Sequence, residues 1–242
     1  MLWPRRPPGW GSQSKIESFA SIPTLVFVSF LNQLKTQANA LQSRQGREQH
    51  DLEESAAQTE VACRLVLNYL EDLARHLNVI EPAAARFSLD GRTPWPAMKL
   101  REFRVDARKK MLRSREVFDY IAMGWRVVPQ IGQPVSGTVS VNFPPDLERV
   151  QSRLAMGPVR HERKDLRHPA KNTLQAIEFE YITETRGNVQ ITPDHDQATL
   201  AFRLLNASGF GILNTTWPAA AIRTEVMDDL ARLIVSDPSR FV

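Results

Sequence analysis

Residues 51–78 read DLEESAAQTEVACRLVLNYLEDLARHLN, and their spacing decides the fold of the first half of the chain. Leu52, Ala56, Thr59, Cys63, Val66, Leu70, Leu73 and Leu77 follow one another at alternating steps of four and three. Such steps place an apolar seam along one side of a helix, the heptad spacing that supports packing on a second helix. Upstream, Phe27, Leu31, Leu34, Ala38 and Leu41 keep the same steps. The polar segment SRQGREQH, residues 43–50, separates the two runs.

Two arrangements fit. In one, Gly46 ends the first helix in a left-handed cap and Asp51, with Glu54 three positions on, opens the second as a capping box. The two helices then fold back as an antiparallel hairpin. In the other, one long helix runs through Gly46 into a partner chain as an intermolecular coiled coil. The cap signals favour the hairpin.

Outward from this segment, residues 1–14 (MLWPRRPPGWGSQS) are rich in Pro and Arg and predict a disordered tail. The apolar run from Ile22 to Leu31 is broken by Pro23 and Ser29 and is shorter than the roughly 20 residues a membrane span requires. A secretory leader is disfavoured, because the stretch between this run and Ala38-Asn39-Ala40 is polar and contains Lys35. Downstream, Pro82 and Pro94-Trp95-Pro96 mark a linker. Leu100, Phe103, Ala107, Met111, Phe118, Ile121 and Trp125 then lie near a 3.6-residue period, which predicts a third helix over 97–123, stopped by Gly124. Phe103 and Val105 alternate with Arg104 and Asp106, so a strand over 99–105 is the competing reading.

Beyond residue 125 the texture changes. Val139, Val141 and Phe143 alternate with polar residues, and Pro144-Pro145 opens a short helix. Ile177, Phe179 and Tyr181, then Leu200, Phe202 and Leu204, then Phe210 and Ile212, alternate as an antiparallel meander. A last helix after Pro218 carries Ile222, Val226, Leu230 and Leu233 on one face. The expected class is α+β: a long N-terminal helical hairpin and a third helix over residues 15–125, then an α+β domain over 126–242 with an antiparallel sheet and two helices.

The 242 residues include 31 Lys+Arg and 27 Asp+Glu, a net charge of +4. Seven lysines and 24 arginines make up the cations. The single Cys63 excludes an internal disulfide and a thiolate zinc site, fits a reducing cytoplasmic compartment, and reads as a buried inert thiol. Collagen-like, disordered and disulfide-scaffold classes are excluded by the same composition.

Three candidate sites follow. Leu52, Cys63, Val66, Leu70, Leu73 and Leu77 form an oligomer or partner interface. Arg108, Lys109, Lys110, Arg113 and Arg115 form the densest basic cluster, on the third helix. It would neutralise nucleic-acid phosphates or pair with Glu53, Glu54, Glu60, Glu71 and Asp72 of the second helix, the pairing being favoured. Glu178, Glu180, Asp194, His195 and Asp196 carry metal-ligand chemistry, although a polar turn and a solvated strand face explain them more simply. No phosphate loop, nucleophile elbow or H-E-x-x-H occurs. The chain is expected to be a non-catalytic assembly or adaptor protein without cofactor, acting through self-association or a protein partner. A nucleic-acid accessory protein and a metal-dependent enzyme are the alternatives.

Overall fold

The computed structural model describes residues 30–242. The tail at 1–14, the start of the run at Ile22 and the seam position Phe27 lie outside the described residues. The chain divides into two units, 1–46 and 47–242.

Helix α1 spans Phe30–Ile80 without a break, so the expected hairpin is replaced by a single helix. Gly46 lies inside it with no left-handed φ and with open space around its Cα. The physical reason is the company Gly46 keeps. One helical glycine costs about 1 kcal/mol relative to alanine, while Gln45, Arg47, Glu48 and Gln49 are good helix formers that carry the ladder across. The seam in 59–77 does bury one side of α1, through Thr59, Ala62, Cys63, Val66, Leu70, Ala74 and Leu77. All but Thr59 belong to the main core cluster of sheet and helix side chains.

The third helix is likewise corrected. Residues 98–129 form a long hairpin, β1 (Met98–Leu112) and β2 (Arg115–Pro129), in antiparallel register. Arg113 and Ser114 both take positive φ, 48° and 64°, the geometry of a tight two-residue hairpin turn. Two bulges explain why the spacing reads as helical. The register jumps between Arg101 and Arg104, opposite Arg126 and Gly124, so that Leu100 and Phe103 are both buried at a spacing of three. A second jump at Arg108/Lys109 gives Phe118 and Ile121 the same spacing. A strand with a bulge thus imitates the three-and-four steps of a helix.

The rest of the chain runs β3 (Ser136–Val141), α2 (Pro144–Met156), β4 (His161–Arg167), β5 (Leu174–Ile182), β6 (Thr185–Asp194), β7 (Thr199–Leu205), β8 (Ile212–Pro218), a short 3-10 turn at Ala219–Ala221, and α3 (Thr224–Ile234). The described residues hold three α-helices, where the spacing predicts five. The α+β class is consistent with two antiparallel sheets, one ordered β1-β2-β6-β7-β8 and the other β3-β5-β4. The boundary expected near residue 125 falls inside β2, where Ile121–Val127 pair with β6. Strand β4, HERKDLR, is exposed along its whole length and lies at a sheet edge, where charged side chains discourage further pairing.

Alternation along β2 sets the two faces of the five-stranded sheet. Ile121, Met123, Trp125 and Val127 point into the core with Val189, Ile191, Phe202 and Leu204. Three polar clasps fix α1. Glu60 Oε1 accepts the Phe118 amide at 2.8 Å and lies 3.1 Å from His195 Nε2. Asn78 and the Phe103 backbone exchange bonds of 2.9 and 2.7 Å. The Tyr69 hydroxyl donates to Asp228 of α3 at 2.6 Å.

Candidate functional site

The opposite face of that sheet turns outward. Register places Arg104, Asp106 and Arg108 of β1 beside Gly124, Ala122 and Tyr120 of β2. Gly124 and Ala122 in turn lie beside Asn188 and Gln190 of β6, which pair with Leu205 and Arg203 of β7. One row further along, Arg126 pairs with Arg186. All of these outward residues are exposed or half-buried. Five arginines therefore share the face with Asp106 and with the carboxylates of Glu102 and Glu184.

Two of the charged groups are occupied. Arg126 donates from Nε and Nη2 to Glu184 Oε1 at 3.0 and 2.7 Å, and from Nη1 to Glu102 Oε1 at 2.7 Å. The bond to Glu184 and the neighbouring carboxylates push its affinity for the proton above the ordinary arginine value. Asp106 accepts the Tyr120 hydroxyl at 2.8 Å, which raises the pKa of that phenol. Among the described residues, the guanidinium groups of Arg104, Arg108, Arg186 and Arg203 form no ion pair.

At one end the face deepens into a cleft of about 620 Å³ bounded by Arg104, Arg126, Arg186, Asn188 and Pro158, with Gly124 at its floor. The first bulge puts Glu102 at φ 57°, an unusual conformation for a residue with a side chain, and aims its carboxylate at Arg126. From the core side the Trp125 indole packs against Gly187; a Cβ there would lie 2.4 Å from the ring. Asn188 Oδ1 is buried at the cleft without a hydrogen-bond partner among the described residues. The two carboxylates of the cleft are both held by Arg126, so its groups suit the binding of anionic oxygens rather than proton transfer.

A second exposed feature lies in the first part of α1. Every residue from 30 to 51 is exposed. Phe30, Leu31, Leu34 and Leu41 are 73%, 58%, 44% and 60% accessible, so the upstream part of the apolar seam is uncovered in the described chain.

Cys63, Val66, Leu70 and Leu77 are buried inside the chain, and Leu52 and Leu73 are half-buried, so most of this part of the seam packs on the chain's own core. Burial, reinforced by the charge of Glu60, pushes the Cys63 thiol up to about 12, which makes it inert. The basic cluster lies at the tip of the β1–β2 hairpin. Lys109 pairs with Glu116 and Lys110 with Asp119, both at 3.1 Å, and Arg113 pairs with Asp196. Their partners are therefore not the acidic residues of α1. Arg108 and Arg115 have no carboxylate partner among the described residues.

Glu178 and Glu180 lie on β5 of the three-stranded sheet, whereas Asp194 ends β6 of the other sheet, followed by His195 and Asp196. Lys164 and the Ser136 hydroxyl bond Glu180 and hold its carboxyl below the usual range. Asp194 Oδ1 accepts the amides of Asp196 and Gln197, an ordinary turn, and His195 is buried against Glu60. Among the described residues no three His, Cys, Asp or Glu side chains are grouped to hold a metal ion. No described helix is long and apolar enough to cross a membrane.

Sequence reading missed Arg104, Gly124, Arg186 and Arg203, which come from four strands. A local signal was present in Arg104-Val105-Asp106-Ala107-Arg108, whose charges recur every second residue. No protein-family description, curated protein or solved structure matches the chain.

Proposed function

We propose that the chain is a non-catalytic assembly protein that pairs with a second copy of itself through the first part of α1. The observation that carries this reading is the exposure of Leu31, Leu34 and Leu41 at steps of three and seven on a helix. A stripe of leucines at heptad spacing gains most by facing an identical stripe, each knob entering a hole on the partner helix. Ala38, between Leu34 and Leu41, lets two such helices approach closely. Gln37 and Gln42, which flank the stripe, impose no like-charge repulsion between copies.

Light scattering over a concentration series tests the proposal. The parent chain is expected to form a dimer or larger species, and the double substitution Leu34→Glu with Leu41→Glu is expected to be monomeric. Both side chains are exposed, so the melting temperature of the 47–242 unit should not move in dilute solution. A parent chain that stays monomeric, or a double variant that associates like the parent, overturns the proposal.

A further inference from the structure

We infer that the outward face of the five-stranded sheet binds single-stranded nucleic acid through its phosphates, with the strand lying along the furrow over Ala122 and Gly124. Four guanidinium groups without a carboxylate partner among the described residues, those of Arg104, Arg108, Arg186 and Arg203, converge on this face from β1, β6 and β7. The small residues of β2 leave a trough between the long side chains of β1 and those of β6. Charge complementarity selects a polyanion, and the extent of the patch selects a polymer. From the row of Tyr120 to that of Arg126 the strand rises about 20 Å, and from β1 to β7 the sheet spans roughly 14 Å. A free phosphate or mononucleotide would fill the cleft at Gly124 and leave Arg108 and Arg203 unused. Among the described residues Tyr120 is the one aromatic side chain on the face and is tied to Asp106, so recognition runs through the backbone, without a stacking platform for bases.

The basic hairpin tip is a separate feature. Lys109, Lys110 and Arg113 are matched by carboxylates, so they contribute little to a phosphate site. The inference is independent of self-association through α1.

Fluorescence anisotropy with labelled oligothymidine and oligouridine of about 20 nucleotides, read at several salt concentrations, tests the inference. Four neutralised phosphates give a slope of about −2.8 in log K against log salt for a single strand. Affinity should then fall about fifty-fold between about 50 and about 200 mM salt. Replacing Arg104 and Arg186 by Gln should halve the slope, while replacing Lys109 and Lys110 by Gln should leave it nearly unchanged. Gly124→Leu fills the furrow without changing any charge and should weaken binding. Its new Cβ meets only the Gly187 carbonyl, at 3.8 Å. A melting curve for each variant confirms that it is folded. Absence of oligonucleotide binding overturns the inference. So do equal affinity for a duplex of the same length, equal affinity for polyglutamate, competition by inorganic phosphate or ATP at the same phosphate concentration, or a slope that follows the lysine pair instead of the arginine pair.

Discussion

Replacing Gly46 by alanine is expected to tighten α1, and the sign of the effect separates two conformations of the same glycine. In the structure Gly46 is helical, its φ is not left-handed, and a Cβ built on it meets nothing within 4 Å. The substitution therefore introduces no clash and yields the full propensity difference, about 1 kcal/mol in favour of the helix. If Gly46 instead capped a first helix in the left-handed region, a Cβ would strain it and the same change would destabilise by a comparable amount or more. Hydrogen exchange of the amides of residues 47–50, whose helical acceptors lie at 43–46, reads the local opening equilibrium directly. Protection in the Gly46→Ala variant should rise about fivefold. The far-UV helical signal should also rise slightly. Faster exchange at these amides, or a loss of helical signal, would refute the single-helix reading and restore the hairpin.

Two further outcomes test the packing that presents the outward face. Glu60→Ala removes the acceptor of the Phe118 amide and the partner of buried His195, and two orphaned polar groups should cost about 2–4 kcal/mol in urea unfolding. Glu60→Gln keeps an acceptor for the amide and should lose less; equal losses would show that the carboxylate charge, not the accepting oxygen, holds the contact. Asp90 tests the loop after α1. Burial alone would raise its carboxyl, but the amides of Thr93 and Arg92 and the hydroxyls of Thr93 and Ser88 hold it at about 2, against an ordinary 3.8. A carboxyl lowered in the folded state stabilises above the unfolded value, and that contribution disappears as pH falls from 3.8 through about 2. At full strength the difference is roughly 2.4 kcal/mol; contact with water reduces it to about 1. Asp90→Asn should therefore be less stable than the parent at neutral pH and nearly equal to it near pH 2, and a gap independent of pH would contradict the assignment.

How much of the fold is legible in the sequence depends on whether a pattern stays local. The seam from Thr59 to Leu77 marks a buried helix face because the 3.6-residue period is a property of one continuous segment. Its partner is not legible. The same leucine stripe packs as well on a sheet as on a helix, and only the long-range register decides between them. The β1–β2 hairpin is misread for a different reason. Each bulge shifts the alternation by one residue and turns a step of two into a step of three, at Leu100–Phe103 and again at Phe118–Ile121. Neither bulge has a glycine to announce it; Glu102 takes the positive φ at the first. Residues 200–205, with no such interruption, alternate in the structure as they do in the sequence.

The arginine face shows why charge density along a chain is a poor guide to charge density on a surface. Residues 108–115 hold the densest run of cations, but consecutive strand residues point to opposite sides, and antiparallel pairing sets acidic side chains against them. Lys109 meets Glu116, Lys110 meets Asp119, and Arg113 reaches Asp196 beyond the end of β6, so most of the run is neutralised where it stands. Arg186 and Arg203 lie outside any basic run, and Arg104 stands in the alternating stretch Arg104-Val105-Asp106-Ala107-Arg108. They gather because Gly124 and Asn188 fall in one row and Arg203 in the next, a consequence of the β1-β2-β6-β7 order alone. A local field that attracts anions therefore arises in a chain whose net charge is only +4. It owes its strength less to the number of cations than to the carboxylates: Asp106, Glu102 and Glu184 are already engaged with Tyr120 and Arg126 and stay off the four remaining guanidinium groups.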